Sequence, residues 1–394
     1  MKLQAQSSRA LCGALQKSVK GVGGKSMIAI LDHVLLSRRN DGKYMFTTAT
    51  SDSQLCVPAP LAEIDTKLSK PVALPISLLT QFLATLPDCV VTFNFNSENT
   101  FLVEYCTGDG DKVKSGKAQF AYLAGDEFPT MPQPEDGATH LSLPYAVFDG
   151  ALKQAMPFIK PNDLRPVIGS LLMDIAEDLS GITFVGTNGQ VLYKQTYSND
   201  PQRGGSNFYR GGVARQMKIS NAFFRMLSAF DGQEDIDIES DGSVIRFTSG
   251  DIDFRCKEIE AKYPNYNSII PHNNPLYITF SKKEMLSIVK RVTLFTSEAS
   301  NVVKVEKNGM FIDVSTEDKD FSQGAHDQVI VIDAACNDGF CIGFRAEIFL
   351  TGVNAIKGDT VRLQLTDAQR AAVLTADEPS PNALALCMPI AMYD

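Results

Sequence analysis

Leu79-Thr80-Gln81-Phe82-Leu83-Ala84-Thr85-Leu86 spaces its apolar side chains three, four and seven residues apart, which gives a helix one apolar face. The same face returns at Phe223, Met226, Leu227 and Phe230. It returns again at Phe349, Val353 and Ile356, with Gly352 in the remaining slot. A strand-like lead-in precedes each helix: Val72-Ala73-Leu74, Met217-Lys218-Ile219 and Cys341-Ile342. A short polar turn and a strand follow each one: Val90-Val91-Thr92-Phe93, Ile236-Asp237-Ile238 and Val361-Arg362-Leu363-Gln364-Leu365. Three helices with matching entry and exit point to an internal repeat, which has to be weighed before any motif.

Working outward, each copy begins with another helix, expected over Ser7–Gly21, Pro144–Lys160 and Ser281–Thr293. Ser7 and Ser281 suit N-caps, Pro144 suits a first helical turn, and Pro157 is expected to end or kink the second of these helices early. Alternating stretches such as Gly181-Ile182-Thr183-Phe184-Val185 and Gly309-Met310-Phe311-Ile312-Asp313-Val314 read as strands. Pro-rich polar segments, 129–137 and 271–275, separate the copies. The expectation is an α+β chain of three domains, 1–137, 138–273 and 274–394. The alternative is three unrelated α+β domains with look-alike helices.

A chain of 394 residues exceeds what one core usually serves, in agreement with several domains. No apolar run approaches the ~18 residues that span a bilayer, and Met1-Lys2-Leu3-Gln4-Ala5-Gln6 lacks the apolar core of a secretory signal, so a cytoplasmic protein without a membrane role is expected. The eight cysteines contain no CxxC pair and read as reduced thiols. The net charge of −9 argues against nucleic-acid binding by the whole surface, yet its distribution is uneven. The six expected helices together carry +7, which leaves −16 on everything else. If the helices share one side, that side offers Lys and Arg to a phosphate backbone; otherwise these are ordinary solvated residues.

Enzyme motifs fail on inspection. Gly21-Val22-Gly23-Gly24-Lys25-Ser26 lacks the further Gly of a phosphate loop, because Val19 stands in that slot. Gly108-Asp109-Gly110-Asp111 lacks the later acidic ligands of a calcium loop and reads as a hairpin turn. His33, His140, His272 and His326 lack metal-ligand spacing. No metal, cofactor or catalytic residue is expected, and the chain reads as a non-catalytic protein.

Several segments resemble the bacterial DNA polymerase III beta subunit, the sliding clamp family. Cys387-Met388-Pro389-Ile390 is similar to its closing apolar-Met-Pro-Met segment, and Lys262-Tyr263-Pro264-Asn265-Tyr266 with Ile269-Ile270-Pro271 to its Arg-Phe-Pro-Asp-Tyr…Val-Leu-Pro. Arg165-Pro166-Val167-Ile168 resembles Arg-Pro-Val-Leu, and Thr187-Asn188-Gly189 with Leu192 resembles Thr-Asp-Gly-His-Arg-Leu. Asp126-Glu127-Phe128-Pro129 and the early Gly23-Gly24-Lys25…Ile28-Ala29-Ile30-Leu31 also match.

The resemblance implies three clamp-type domains per chain, each with two helices packed on antiparallel sheets, forming half of a six-domain ring. It implies a head-to-tail homodimer that encircles double-stranded DNA without reading sequence. It further implies tethering of the polymerase III alpha subunit and the clamp loader through linear peptides. Candidate DNA-facing residues are Lys25, Asn162 and Arg165 by position, and Lys17, Lys20, Lys153, Lys290 and Arg291 by charge. The implied peptide pocket comprises Ile168, Thr187, Gly189, Leu192, Pro264, Ile269, Leu386, Met388, Pro389, Ile390 and Met392; plain core packing at a junction is its alternative. Phe120 and Tyr122 would meet Leu294 and Phe295 at the subunit contact, or else belong to the core. Three departures stand out. Pro166-Val167 replaces an aromatic pair, Gln190-Val191 replaces His-Arg, and Asn267-Ser268 replaces an Arg pair. The first removes a stacking role at that spot, and the loss of the expected Arg and His positions near the pocket motivates a second reading, a clamp-fold adaptor or paralogue that binds partner peptides without encircling DNA.

Overall fold

Ser7 caps the first helix as its sequence promises: its Oγ accepts from the Ala10 N–H at 3.0 Å, and α1 runs over Ser8–Val19. The computed structural model describes residues 1–20, 28–65, 68–97, 99–108, 114–160, 164–200, 205, 207–220, 222–230, 232, 234–296, 301–318, 322–377 and 382–391. The other helices are α2 Ile76–Ala84, α3 Tyr145–Ala155, α4 Ala222–Met226, α5 Lys282–Val292 and α6 Ala346–Ala355. All are shorter than their sequence patterns. Pro157 enforces the change in the second copy, where α3 passes into the 3-10 turn Met156–Phe158. In the same copy α4 ends early in the 3-10 turn Leu227–Ala229. The Gly309-Met310 pair forms a turn, with Gly309 at φ +56°, and the strand starts at Phe311.

The first helices repeat residue for residue. Leu11, Leu15 and Ser18 in α1 correspond to Phe148, Leu152 and Ala155 in α3 and to Met285, Val289 and Val292 in α5, and all nine are buried. Strand pairing repeats with them, and every pairing among the described residues is antiparallel. The opening strand pairs with the strand after the second helix: Lys2–Ala5 with Val91–Ser97, Thr139–Leu143 with Ile236–Ser240, and Leu276–Ser281 with Thr360–Leu365. The strand after the first helix pairs with the one before the second: His33–Arg38 with Val72–Pro75, Ser170–Ile175 with Gln216–Ser220, and Val302–Asn308 with Cys341–Arg345.

The chain forms two compact units. The first holds Met1–Phe148, Tyr209–Val213 and Ala222–Glu258, with a five-stranded and a ten-stranded sheet. Its core includes Phe148, Phe223, Phe247 and Phe254, with the Phe223 and Phe247 rings 4.2 Å apart. The second unit holds Asp149–Phe208, Ala214–Asn221 and Ile259–Asp394 around a twelve-stranded sheet. Here α6 lies so close to strand Ala383–Cys387 that a Cβ on Gly352 would sit 2.5 Å from Cys387 Sγ and 2.7 Å from Leu374 Cδ1. That close approach explains the gap in the third apolar face.

One carboxylate fastens the first Pro-rich connector. Asp241 Oδ1 accepts from the Ser243 and Val244 N–H groups at 2.7 and 2.9 Å, and Oδ2 accepts from the Glu135 N–H at 2.9 Å. Burial alone would raise its pKa, but the backbone N–H groups of Val244, Ser243 and Glu135 outweigh burial and hold it at about 2. Since the folded value lies below the ~3.9 of an unfolded chain, this stabilisation is present above pH ~4 and is lost as pH falls toward 2. Asp241→Ala should cost about 1 kcal/mol at neutral pH after allowance for solvent screening. Urea melts should show that difference shrinking as the pH is lowered from ~4.

Candidate functional site

The second unit gathers the predicted pocket residues through one strand pairing. Strand Val191–Ser198 runs antiparallel to Ala383–Cys387, with Leu192 opposite Leu386 and Val191 opposite Cys387. Side chains alternate across a strand, so the two faces of this seam differ. On one face Cys387 Sγ points to the Ile348 carbonyl of α6, and complete burial pushes its thiol up to about 12, which leaves it inert. On the other face Leu192 and Leu386 join Leu172, Val185, Tyr263, Tyr266, Ile270 and Ala371 in a buried cluster, with Val167 and Leu384 packed against it.

A tight turn forms one edge. The Thr187 hydroxyl donates to the Val191 carbonyl at 2.7 Å and accepts from the Gly189 N–H at 3.1 Å. Asn188 Oδ1 accepts from the Gln190 and Val191 N–H groups, and Gly189 takes φ +89°, which favours glycine there. The turn then holds the end of the chain: the Gln190 carbonyl accepts from the Met388 N–H at 2.9 Å, and the Gly343 carbonyl accepts from the Ile390 N–H at 2.8 Å. Around the buried floor the neighbouring residues stay open. Ile269 is 54% and Met388 42% exposed, Pro264 is exposed, and Ile168, Pro389 and Ile390 are half-buried. A dry floor with an open apolar rim can take apolar side chains of a ligand. Met392 lies outside the described residues.

The structure divides the candidate cations by what they touch. Lys153 on α3 and Lys290 on α5 line one cavity of about 320 Å³ with Gln154, Leu286, Thr351 and Asn354, and Lys153 also pairs with Asp149 at 2.7 Å. Lys17 lines a second cavity, of about 530 Å³, with Ala10, Gly13, Ala14, Glu234 and Asp251. Lys20 Nζ donates to the Ser228 carbonyl at 3.1 Å, just past α4. Arg291 is ion-paired with Asp327, and Arg165 is exposed. Lys25 and Asn162 lie outside the described residues. Lys282, counted in the basic total, instead caps α6 by donating to the Asn354 and Ile356 carbonyls at 2.9 and 2.6 Å.

The two expected contact pairs differ. Phe120 is core: it is 5% exposed, stacked on Phe101 and edge-on to Phe82, so its ring is not an open contact. Tyr122 is half-buried against Phe95 and Phe101. Leu294, at 79%, and Phe295, at 42%, do stand exposed.

Two of the longer strands have edges left unpaired among the described residues. Strand Lys114–Ala121 pairs only with Thr100–Thr107. In strand Gln323–Ala335, residues 323–330 pair only with Phe311–Asp318. No group of three His, Cys, Asp or Glu side chains among the described residues is placed to hold a metal.

Residues 267–391 match the family model described as DNA polymerase III beta subunit, C-terminal domain. Over 388 residues the chain is 22% identical to the beta sliding clamp of Synechocystis sp., with 95% of each chain covered. It is 23% identical to that of Bacillus subtilis over 379 residues, with 94% of each covered. The crystal structure of DNA polymerase III subunit beta from Pseudomonas aeruginosa matches with TM-score 0.86 at 16% identity, covering 100% of both chains. The Helicobacter pylori beta clamp bound to a DNA ligase peptide matches with TM-score 0.85 at 18% identity, again over 100% of both chains.

Proposed function

Because the chain is a divergent member of the bacterial DNA polymerase III beta subunit family, we propose that it closes head to tail with a second copy into a ring around duplex DNA. The observation that carries this reading is the rule by which its copies join. The third strand after the first helix of copy one, Ser53–Ala59, pairs with the last strand of copy two, Ile252–Lys257. The third strand after the first helix of copy two, Val191–Ser198, pairs with the last strand of copy three, Ala383–Cys387. Applied once more, the rule pairs the third strand after the first helix of copy three, Gln323–Ala335, with the last long strand of copy one, Lys114–Ala121. Both of those strands have an open edge. Open edges invite pairing, and a heterologous contact that closes by rotation makes a ring.

In this reading the domains are 1–137, 138–273 and 274–394, and the first helices face the DNA. Lys17, Lys20, Lys153, Lys290 and Arg165 neutralise phosphates loosely, because topology rather than affinity prevents escape. The pocket around Leu192, Leu386 and Met388 captures linear peptides of polymerase and clamp loader. Tethering keeps a polymerase at high effective concentration on its template, so the chain works without turnover in the bacterial cytoplasm. The adaptor reading draws on the uncharged Gln190 and Asn267 and predicts a monomer. Particle images together with solution mass test the proposal: a closed annulus of twice the 43.0 kDa chain mass is expected, and a monomer at micromolar concentration would favour the adaptor.

A further inference from the structure

We infer that Lys194 is a positioning residue of the partner pocket, its ammonium holding the Tyr266–Ile269 turn so that Ile269 stands at the pocket mouth. The inference deepens the pocket reading above and rests on it. Lys194 shares its strand face with Leu192 and lies between Leu384 and Val185, so a cation stands beside the apolar floor, with Asp174 on the same face. Its stem can cover that surface while its head group leaves it. Nζ donates to Asn267 Oδ1 at 3.0 Å and lies 5.4 Å from the Tyr266 ring centroid, within cation–π range. Tyr266 is itself anchored, since its hydroxyl donates to Asp174 Oδ2 at 2.7 Å on strand Ser170–Ile175.

The turn needs such a fastening. Tyr263, Tyr266 and Ile270 point into the cluster, whereas Pro264, Asn265, Asn267, Ser268 and Ile269 point out. The 3-10 turn has no side-chain N-cap, and its backbone bonds, Ser268 N–H to the Asn265 carbonyl and Ile270 N–H to the Asn267 carbonyl, are long at 3.3 and 3.4 Å. Lys194 therefore supplies the side-chain tie from the sheet to the outward half of the turn, one residue from Ser268 and two from Ile269.

Binding of a fluorescein-labelled decapeptide rich in Leu and Phe tests this on the full chain. Lys194→Met should weaken binding ~5-fold, mainly through faster dissociation, and Lys194→Arg should restore most of it. Hydrogen exchange should quicken at 266–270 in the Met variant and nowhere else. Unchanged affinity with Met, equal loss with Arg, or exchange that quickens across the whole unit would each overturn the proposal. Failure of the unaltered chain to bind the peptide would instead defeat the pocket reading itself, and this inference with it.

Discussion

Leu294→Glu is expected to leave each chain folded and to raise the dissociation constant of the dimer at least ~100-fold. Alignment of the first helices by their buried triads puts Leu294 at the position of Lys20 in copy one and Pro157 in copy two. In those copies the position faces the second helical segment of the next copy. Lys20 donates to the Ser228 carbonyl, and Pro157 lines a cavity with Leu350 and Asn354 of α6. In the proposed ring the same rule would bring Leu294 against α2 of the second molecule, where Leu78 is 58% exposed. In that ring the Leu294 side chain, 79% exposed in one chain, would be covered, and a carboxylate buried there without a partner costs several kcal/mol. Sedimentation should show a 43.0 kDa species at concentrations where the unaltered chain is double that, with an unchanged thermal melt. A dimer as tight as before would refute the seam.

Met388→Glu is expected to abolish measurable peptide capture, a loss of ~50-fold or more, while mass and melting stay the same. The Met388 backbone is already held by Gln190, and its side chain is half in solvent, so the substitution has little fold to disturb. What it changes is the rim above the Leu192–Leu386 floor, where a fixed carboxylate is desolvated by any apolar side chain that enters. Fluorescence polarisation with a labelled Leu- and Phe-rich peptide measures the effect. Retained affinity would mean that these residues are junction packing.

The repeat was legible because it rests on helical periodicity, the strongest local signal in a sequence. The faces at Phe223 and Phe349 proved buried, as did Leu79 and Leu83 of the first face, with Phe82 and Leu86 half-buried, and Ser7 and Ser281 both cap as read. The gap at Gly352 could not be interpreted from one strand of sequence, because its cause is Cys387, thirty-five positions away. Charge counting treated every helical cation alike. Only packing separates Lys282, spent on the end of α6, from Lys153 and Lys290, which share a cavity. Phe120 stayed open between subunit contact and core because an alternating strand presents one face to the core and one to solvent, and local sequence does not say which face the ring takes. Lys194 gave one faint signal, a charge at an inward-alternating position, and its partners Asn267 and Tyr266 lie more than seventy residues on.

Topological confinement is tested by following the protein on DNA it has been loaded onto. After loading on nicked circular duplex and a high-salt wash, the chain should stay bound, and cutting the circle once should release it within minutes. Equal retention on circular and linear DNA, or equal loss from both, would contradict a ring that holds DNA by enclosure.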